Sequence, residues 1–423
     1  MSTATDIPGT TPKPARGHYM WLAAIVAVAF ALRAALGLLH PFMFPDSYDY
    51  NALAHAIAAG RPYEVHNLFA SRLPGYPVLL AGIYLVSDFS RWAVMVFQAA
   101  CGSATVLVTY FVARRLMPRS ALLAAGIAAL DPLSIAFSAA LLTEIPFTLL
   151  LMLAVLVLLR LLEDSTRWLD WLMLGLCWAA ATYVRGEVVL CLLPLVAWLW
   201  WHRPDSAGEP RLRPGAGKAA LSAAGPLLAL LVVFVSLMPW WVRNYSLFHQ
   251  DFFRLSTLQG ISLYESVYHG ATGGPRQSKI PLPKSMVHLN ESQRDLAWTH
   301  KAWHSIVHHP LRILMLAVIK IGRTWSPWLH AAGYRNVWLN VFLGAWSVAL
   351  FALALFGLAG RQAPWRLVGV PIIIILYFTL MHALFLGSVR YRVELLPLAA
   401  VFAAMGLTQV WKRFDAAGTP QAT

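Results

Sequence analysis

The chain has 423 residues, of which 59% are hydrophobic and only 12% are charged, whereas a soluble domain usually has about 25% charged residues. The hydrophobic residues form blocks of roughly 20, long enough for a helix to cross a hydrocarbon core of about 30 Å, so the composition argues against a water-soluble core. The net charge of +14 does not indicate nucleic-acid binding, because many Lys and Arg residues lie in short connections between these blocks, where they report membrane topology.

Ten segments are predicted to cross the membrane, which indicates an all-α integral membrane protein with about ten transmembrane helices. They are residues 19–39, 92–113, 121–141, 145–162, 168–184, 187–201, 219–241, 337–359, 365–386 and 393–411. If ten helices alternate, the short basic connections fall on one side. Because Lys and Arg favour the cytoplasm, the tails 1–18 and 412–423 are predicted to be cytoplasmic. Residues 19–411 then form one transmembrane domain, with the first segment as a retained signal anchor.

Two further hydrophobic segments, 75–86 and 309–329, are predicted to lie at the membrane interface. The first is only about 12 residues long, and charged residues interrupt the second. Counting both as spans would give about 12 helices, but counting only one would move the later basic connections to the outer side. The outer loops are therefore predicted to be residues 40–91 and 242–336.

The second outer loop contains a predicted helix from Asn290 to His309, with Asn290 as its N-cap. Its residues His300, His304 and His308 are spaced to share one face, and such a stripe can bind zinc. A polar interfacial stripe is the favoured interpretation, because no nearby Cys and no Glu at the expected offset completes a known signature. No metal site is assigned, and a divalent metal cofactor is left open.

Acids and arginines from separate parts of the chain are predicted to gather at the outer face. They are Asp46, Asp49, Arg72, Glu144, Arg185, Glu187, Arg243, Arg390 and Arg392. Ionisable groups near a bilayer are costly unless they are paired or functional. For any one arginine, the alternative is an interfacial side chain whose charge reaches water.

Asp46 lies in an aromatic stretch just after the first span and has two interpretations. It can be a general base whose pKa is raised by desolvation, or the N-cap of an amphipathic helix, and the residues alone favour neither. Asp49, one helical turn further along, is given a structural role.

Three other positions carry candidate charges. Glu144 precedes the fourth span and can be the first-turn acid that the helix dipole stabilises. Arg72 and the segment Arg390-Tyr391-Arg392 are suited to bind phosphate through a planar fork of donors.

Asp131-Pro132 falls near the middle of the third predicted span, away from the other acids. Pro132 is predicted to break the helix there, and Arg33 is a candidate partner for Asp131, although the residues do not decide this. The pair is the one feature that favours a transporter, since transporters place their sites near the midplane on broken helices.

The order of these motifs resembles that of the GT-C glycosyltransferases, polytopic enzymes that use polyprenyl-phosphate sugars. Within them, it is most similar to the protein O-mannosyltransferases and the aminoarabinose transferase of lipid A. The resemblance covers about residues 20–411. It rests on Asp46-Ser47-Tyr48-Asp49-Tyr50, Ala54 through Gly60, Arg72-Leu73-Pro74-Gly75-Tyr76-Pro77, Leu142-Thr143-Glu144, Pro239-Trp240-Trp241-Val242-Arg243-Asn244-Tyr245, Gly260-Ile261-Ser262-Leu263-Tyr264-Glu265 and Arg390-Tyr391-Arg392.

The resemblance implies roles for individual residues. Asp46 matches the catalytic acid of the first outer loop, Glu144 matches the acid of the second, and Arg72 takes the place of a basic residue that contacts lipid phosphate. Ser47 stands where many relatives have a second acid, which argues against a dual-acid or metal-binding role there. The further residues expected to bind the donor or its phosphate are Arg243, Tyr264, Arg390 and Arg392.

The expected function is transfer of a sugar from a polyprenyl-phosphate donor to an acceptor hydroxyl, with inversion, at the outer face of the cytoplasmic membrane. The acceptor is a protein, a lipid or a glycan, the other expected partners are membrane lipids, and no cofactor is assigned. Asp46 is expected to act as the base, and Arg72 with Arg243 or Arg392 to stabilise the phosphate. The alternative is a transporter or lipid-linked glycan flippase, against which the one-sided polar cluster and the lack of a visible sequence repeat argue.

Overall fold

The computed structural model describes residues 16–202, 216–275, 280–329, 336–361 and 363–418. Within these residues the chain forms helices and loops, with two isolated β-bridges and no longer strand. The α-helices are α1 (Arg16–Leu39), α2 (Pro45–Ala58), α3 (Gly75–Ser87), α4 (Arg91–Leu116), α5 (Ala121–Leu130), α6 (Pro132–Ser138), α7 (Glu144–Glu163), α8 (Trp168–Val184), α9 (Leu192–Trp201), α10 (Ala216–Phe248), α11 (Gln259–Val267), α12 (Glu291–His308), α13 (Pro310–Thr324), α14 (Val337–Ala359), α15 (Trp365–Leu384) and α16 (Leu396–Gly418). Short 3₁₀ helices cover Pro118–Ser120, Gly186–Cys191, Lys284–Met286 and Val389–Leu395. The predicted all-α membrane architecture is confirmed.

Seven helical segments in the described residues are long and apolar enough to cross a membrane, and each coincides with a predicted span. They are Gly17–Leu39, Arg91–Leu116, Glu144–Glu163, Ala224–Phe248, Val337–Ala359, Trp365–Leu384 and Val389–Asp415. Two bent pairs of helices raise the number to nine if each pair is one span. The predicted third span is one of these pairs, bent by 53° between α5 and α6, where Pro132 interrupts the helical backbone.

The predicted spans 168–184 and 187–201 form shorter apolar helices. The first is α8, with 17 residues, and the second is the 3₁₀ turn Gly186–Cys191 followed by the 10-residue α9. Helix α8 packs between α7 and α10. The total of ten spans, and the side of the membrane on which each loop lies, stay predictions.

The two segments predicted to lie at the interface also form short helices. The 13-residue α3 packs against α2, and α13 turns by 106° from α12. Helix α13 exposes a row of apolar side chains that suits contact with lipid, namely Leu311, Leu314, Met315 and Val318. Their interfacial position remains a prediction.

Helix α12 begins as the sequence predicts. The Asn290 side chain accepts a hydrogen bond from the Gln293 backbone N at 2.8 Å, and the Gln293 side chain accepts one from the Asn290 backbone N at 3.1 Å. This reciprocal capping satisfies two backbone donors that the first turn would otherwise leave unpaired.

The interior of the bundle is formed by α4, α7 and α16, which are mostly buried, whereas α1 and α14 leave most of their surface exposed. Large apolar side chains such as Phe147, Trp171, Trp178 and Phe378 fill the core between these helices. The apolar side chains exposed on the outer helices are expected in a membrane protein, because they contact the hydrocarbon tails of the lipids rather than water. The buried helices thus form the packed centre of the bundle.

Candidate active site

Asp46 lies in the first turn of α2, but it does not cap the helix. The N-cap residue is Phe44, and its backbone N donates to the hydroxyl of Ser47, the third helical residue, at 3.0 Å. Phe44 is itself held by ring stacking on Phe137, with centroids 6.0 Å apart, and the Phe42 backbone N donates to the Ala139 carbonyl at 2.8 Å. The Asp46 carboxylate is thus not used as a helix cap and is available for other partners.

Those partners are two arginines. Arg72 Nη2 donates to Asp46 Oδ1 at 2.7 Å, and Arg390 Nη1 donates to Asp46 Oδ2 at 2.7 Å. Arg72 also donates to Asp49 Oδ2, from Nη2 at 2.8 Å and from Nε at 3.2 Å. Its guanidinium lies over the Tyr50 ring, 5.3 Å from the centroid. Arg72 therefore joins the two acids of α2, Asp46 and Asp49, through one planar group.

Arg390 extends these contacts to a second loop. Its Nε donates to Glu144 Oε1, and Arg185 Nη1 lies 3.5 Å from the same oxygen. Glu144 is fully buried in the first turn of α7. Two guanidiniums thus face one carboxylate, which compensates the cost of burying its charge.

Arg185 links Glu144 to two further acids, Glu187 and Glu394. Arg185 Nη2 lies 2.8 Å from Glu187 Oε1, and its Nη1 lies 3.0 Å from Glu394 Oε2. His382 Nε2 lies 3.6 Å from Glu394 Oε1. His382 and Glu394 are not among the site residues predicted from the sequence, although an acid such as Glu394 in an apolar segment is itself a signal of a functional position.

These contacts form one continuous set of ion pairs, the charged network. Its members are Asp46, Asp49, His66, Arg72, Glu144, Arg185, Glu187, His382, Arg390 and Glu394. It unites residues from α2, α7, α15, the loop before α3, the end of α8 and two 3₁₀ helices.

A close helix contact brings two of its arginines to the same region. A Cβ added to Gly75 at the start of α3 would lie 2.6 Å from the Tyr183 carbonyl near the end of α8. Only glycine permits this approach, which places the loop carrying Arg72 beside the helix end that carries Arg185. This accounts for the glycine in the Arg72-Leu73-Pro74-Gly75 motif.

The electrostatics of Asp46 differ from the expectation. Burial opposes its ionisation, but the charges and hydrogen bonds of Arg390 and Arg72 outweigh that effect and lower the pKa of its carboxyl from the ordinary value. Desolvation alone, which the sequence suggested as a cause of a raised pKa, is therefore not the deciding influence. Asp46 is an ionised carboxylate at neutral pH.

Arg243 lies beside the charged network but does not join it. Its Nη2 lies 3.4 Å from the Tyr63 carbonyl, and its guanidinium stacks on Trp240 at 4.6 Å from the ring centroid. The Tyr63 hydroxyl donates to the Arg72 carbonyl at 3.0 Å. Arg243 therefore contacts the residue that supports the backbone of Arg72.

Arg392 and Tyr264 lie elsewhere. Arg392 donates to the Ser326 carbonyl and, at 2.9 Å, to the Ser347 hydroxyl, so it faces α14 rather than Asp46. Tyr264 stacks on Trp298 of α12 with ring centroids 4.8 Å apart. The structure brings neither side chain to Asp46.

The histidine stripe of α12 does not form a cluster of metal ligands. The His304 and His308 rings stack at 3.9 Å, and His308 Nδ1 lies 2.8 Å from the His304 carbonyl. In the described part of the chain, the one group of three close metal-ligating side chains consists of Glu187, His382 and Glu394.

Asp131 has structural partners. Its Oδ1 caps α6 by accepting from the Ser134 backbone N at 2.7 Å, and its Oδ2 accepts from Trp346 Nε1 at 2.9 Å. Arg33 instead donates to the carbonyls of Ala29, Ala128 and Ala129. The suggested Arg33–Asp131 ion pair is therefore not made directly, although both residues line one small cavity.

Comparison with known proteins identifies the architecture. Two structures of the oligosaccharyltransferase AglB from Archaeoglobus fulgidus match this chain with TM-scores of 0.51. The complex with an inhibitory peptide and a dolichol-phosphate is 12% identical and covers 97% of this chain and 53% of that chain. The form tethered with an acceptor peptide is 14% identical and covers 94% of this chain and 50% of that chain. The chain has the GT-C glycosyltransferase fold.

A sequence model for the same superfamily matches part of the chain. Residues 71–242 match the family described as dolichyl-phosphate-mannose-protein mannosyltransferase. This stretch of the GT-C fold contains Arg72, Glu144, Arg185 and Glu187, while Asp46 and Arg390 lie outside it. A search of curated proteins finds no match.

A third structure, ArnT from Cupriavidus metallidurans bound to undecaprenyl phosphate, has a TM-score of 0.43 and 14% identity, and covers 96% of this chain and 80% of that chain. The chain spans about half the length of the oligosaccharyltransferase structures.

Proposed function

We propose that this protein transfers a sugar from a polyprenyl-phosphate donor to an acceptor hydroxyl at the outer face of the cytoplasmic membrane, with inversion at the anomeric carbon. The observation that carries the proposal is the bridging of one carboxylate, Asp46, by Arg72 and Arg390. The similar oligosaccharyltransferase structure supports the class of donor, since it holds a dolichol-phosphate. The acceptor is a protein, lipid or glycan hydroxyl.

The two arginines are suited to receive the phosphate of the donor. Each guanidinium presents several donors in a plane, and together they hold two charges beside one carboxylate. A lipid phosphate that enters between them would compete with Asp46 for the same donors. When the anomeric bond breaks, Arg72 and Arg390 would stabilise the charge that develops on the departing phosphate.

Release from the arginines would make Asp46 available to the acceptor. Its lowered pKa ensures that the carboxylate is ionised, and loss of one guanidinium partner would raise its affinity for a proton. Asp46 would then accept the hydroxyl proton as the oxygen attacks the anomeric carbon from the face opposite the phosphate. Glu144 would act indirectly, by holding Arg390 in place.

The side of the membrane on which the site lies is predicted from the distribution of basic residues and from the chemistry of the donor. The basic connections predict cytoplasmic termini, which puts the loops of Asp46, Arg72 and Arg390 outside. Nucleotide sugars do not reach that side, so a lipid-linked donor fits the location.

The transporter alternative loses its main support. The break at Asp131-Pro132 is explained by the helix cap and the Trp346 hydrogen bond, which are structural roles. The largest set of linked charges lies at helix ends and loops rather than on this broken helix.

The test is the Asp46→Asn variant, measured in proteoliposomes with a radiolabelled polyprenyl-phosphate sugar. We expect transfer to fall by at least about 100-fold, since general-base removal typically costs about 10²–10⁴-fold. Asp88→Asn is the matched control, because Asp88 is exposed at the end of α3 and has a left-handed backbone that Asn tolerates. Near-normal transfer by correctly inserted Asp46→Asn protein would remove Asp46 from the mechanism.

A further inference from the structure

One end of the charged network holds a cluster that the proposed transfer does not use. Glu187 in the 3₁₀ turn after α8, His382 near the end of α15 and Glu394 just before α16 each present one ligand-type atom, and these atoms lie within 4.8 Å of one another. Three separate parts of the chain therefore converge on one point.

Two of these side chains are deeply buried, and each leaves a polar atom without a hydrogen-bond partner within the described residues. Glu394 is 0% exposed and His382 is 3% exposed, and neither His382 Nε2 nor Glu394 Oε1 makes a hydrogen bond. Buried polar atoms in native proteins are nearly always paired, so two that face each other without a bond point to a missing partner.

The separation of these atoms suits a shared cation better than a direct bond. His382 Nε2 and Glu394 Oε1 are 3.6 Å apart, beyond ordinary hydrogen-bond length. Two ligands of a tetrahedral zinc ion, each at about 2.1 Å, lie about 3.4 Å from each other. The gap between the two side chains is thus close to that of a pair bound to one metal ion.

The charge balance of the network also calls for a cation. Its five carboxylates, Asp46, Asp49, Glu144, Glu187 and Glu394, face the three guanidiniums of Arg72, Arg185 and Arg390. With neutral imidazole this leaves a formal charge of −2 in a largely buried site, which one divalent ion would neutralise.

We infer that Glu187, His382 and Glu394 bind a divalent first-row transition-metal ion. One imidazole nitrogen and two carboxylate oxygens form a donor set that favours Zn²⁺, with Mn²⁺ as the weaker competitor. Glu187 is partly exposed, at 28% of its side chain, so a metal ion can approach the cluster from that side. The ion would fix the two carboxylates that hold Arg185, and through Arg185 it would position Glu144.

The test uses the full chain in detergent or nanodiscs, without donor or acceptor, so its result does not depend on the proposed transfer. Metal analysis after equilibration with Zn²⁺ should give about one equivalent per chain, and Zn²⁺ should raise the Tm. Glu394→Gln and His382→Gln should each weaken Zn²⁺ affinity by at least about 10-fold and abolish the Tm rise.

Glu187→Gln provides the same test at a partly exposed position if the buried variants do not fold. The matched control is the double variant His304→Gln/His308→Gln, which removes the stacked imidazoles of α12 and should keep the full equivalent of Zn²⁺. The inference is overturned if the wild-type protein takes up neither Zn²⁺ nor Mn²⁺. It is equally overturned if the α12 variant loses the ion while the Glu394 and Glu187 variants keep it.

Discussion

Arg390 Nη1 donates to Asp46 Oδ2 at 2.7 Å, although 344 positions separate the two residues in the sequence. The contact joins the beginning of α2 to the 3₁₀ turn that precedes α16, so the first and last parts of the bundle meet at one carboxylate. Because Arg390 also binds Glu144, it is the residue through which the acids of two loops are connected.

Arg390→Lys should reduce transfer far more than Arg392→Lys. Arg390 uses Nη1 for Asp46 and Nε for Glu144, and a single ammonium cannot reproduce both directions. If Arg390 also stabilises the departing phosphate, kcat/KM should fall by about 10²–10³-fold.

Arg392→Lys is the neighbouring control for this prediction. Its guanidinium binds Ser326 and Ser347, so the variant should lower the Tm while keeping kcat/KM within about 10-fold of the wild-type value. Steady-state transfer and thermal unfolding of both variants provide the measurements. Equal losses of transfer in the two variants would contradict the assignment of Arg390 rather than Arg392 to the site.

Glu144→Gln should destabilise the folded protein strongly. The change leaves Arg390 and Arg185 without the buried carboxylate that both of them face, and breaking a buried ion pair typically costs about 3–5 kcal/mol. Glu163→Gln removes a carboxylate from the partly exposed pair with Arg115, where the cost should be about 0–1 kcal/mol. Thermal unfolding in one detergent compares the two, and similar Tm losses would mean that Glu144 is not held as the structure describes.

The stabilising effect of the Asp46 charge should disappear only in strong acid. Burial opposes its ionisation, but Arg390 and Arg72 lower its pKa in the folded state. A group with a lowered pKa contributes stability that is complete above its unfolded pKa, about 3.9, and is lost as the pH falls through the lower folded value. The Tm difference between wild type and Asp46→Asn should therefore be constant from about pH 8 to 5 and shrink below about pH 4. A difference that closes between pH 7 and 5 would instead indicate the raised pKa that desolvation alone produces.

Much of the fold could be predicted because the controlling signals are local. The hydrophobic blocks predict the seven long helices, Pro132 predicts the break in the third span, and Asn290 with Gln293 predicts the start of α12. The relevant physics, namely the length of an apolar segment, a missing backbone donor and a side-chain cap, acts within a few residues.

The sequence by itself determined that this is an all-α membrane protein and which acids and arginines are candidates for its site. Only the tertiary structure decided how they pair. Arg390 and Arg392 are two residues apart in the 3₁₀ helix Val389–Leu395, which completes a turn about every three residues. Their side chains therefore point in different directions, and the surrounding helices decide which one meets Asp46. The same packing lowered the pKa of Asp46 and brought in His382 and Glu394, because charges interact across space rather than along the chain.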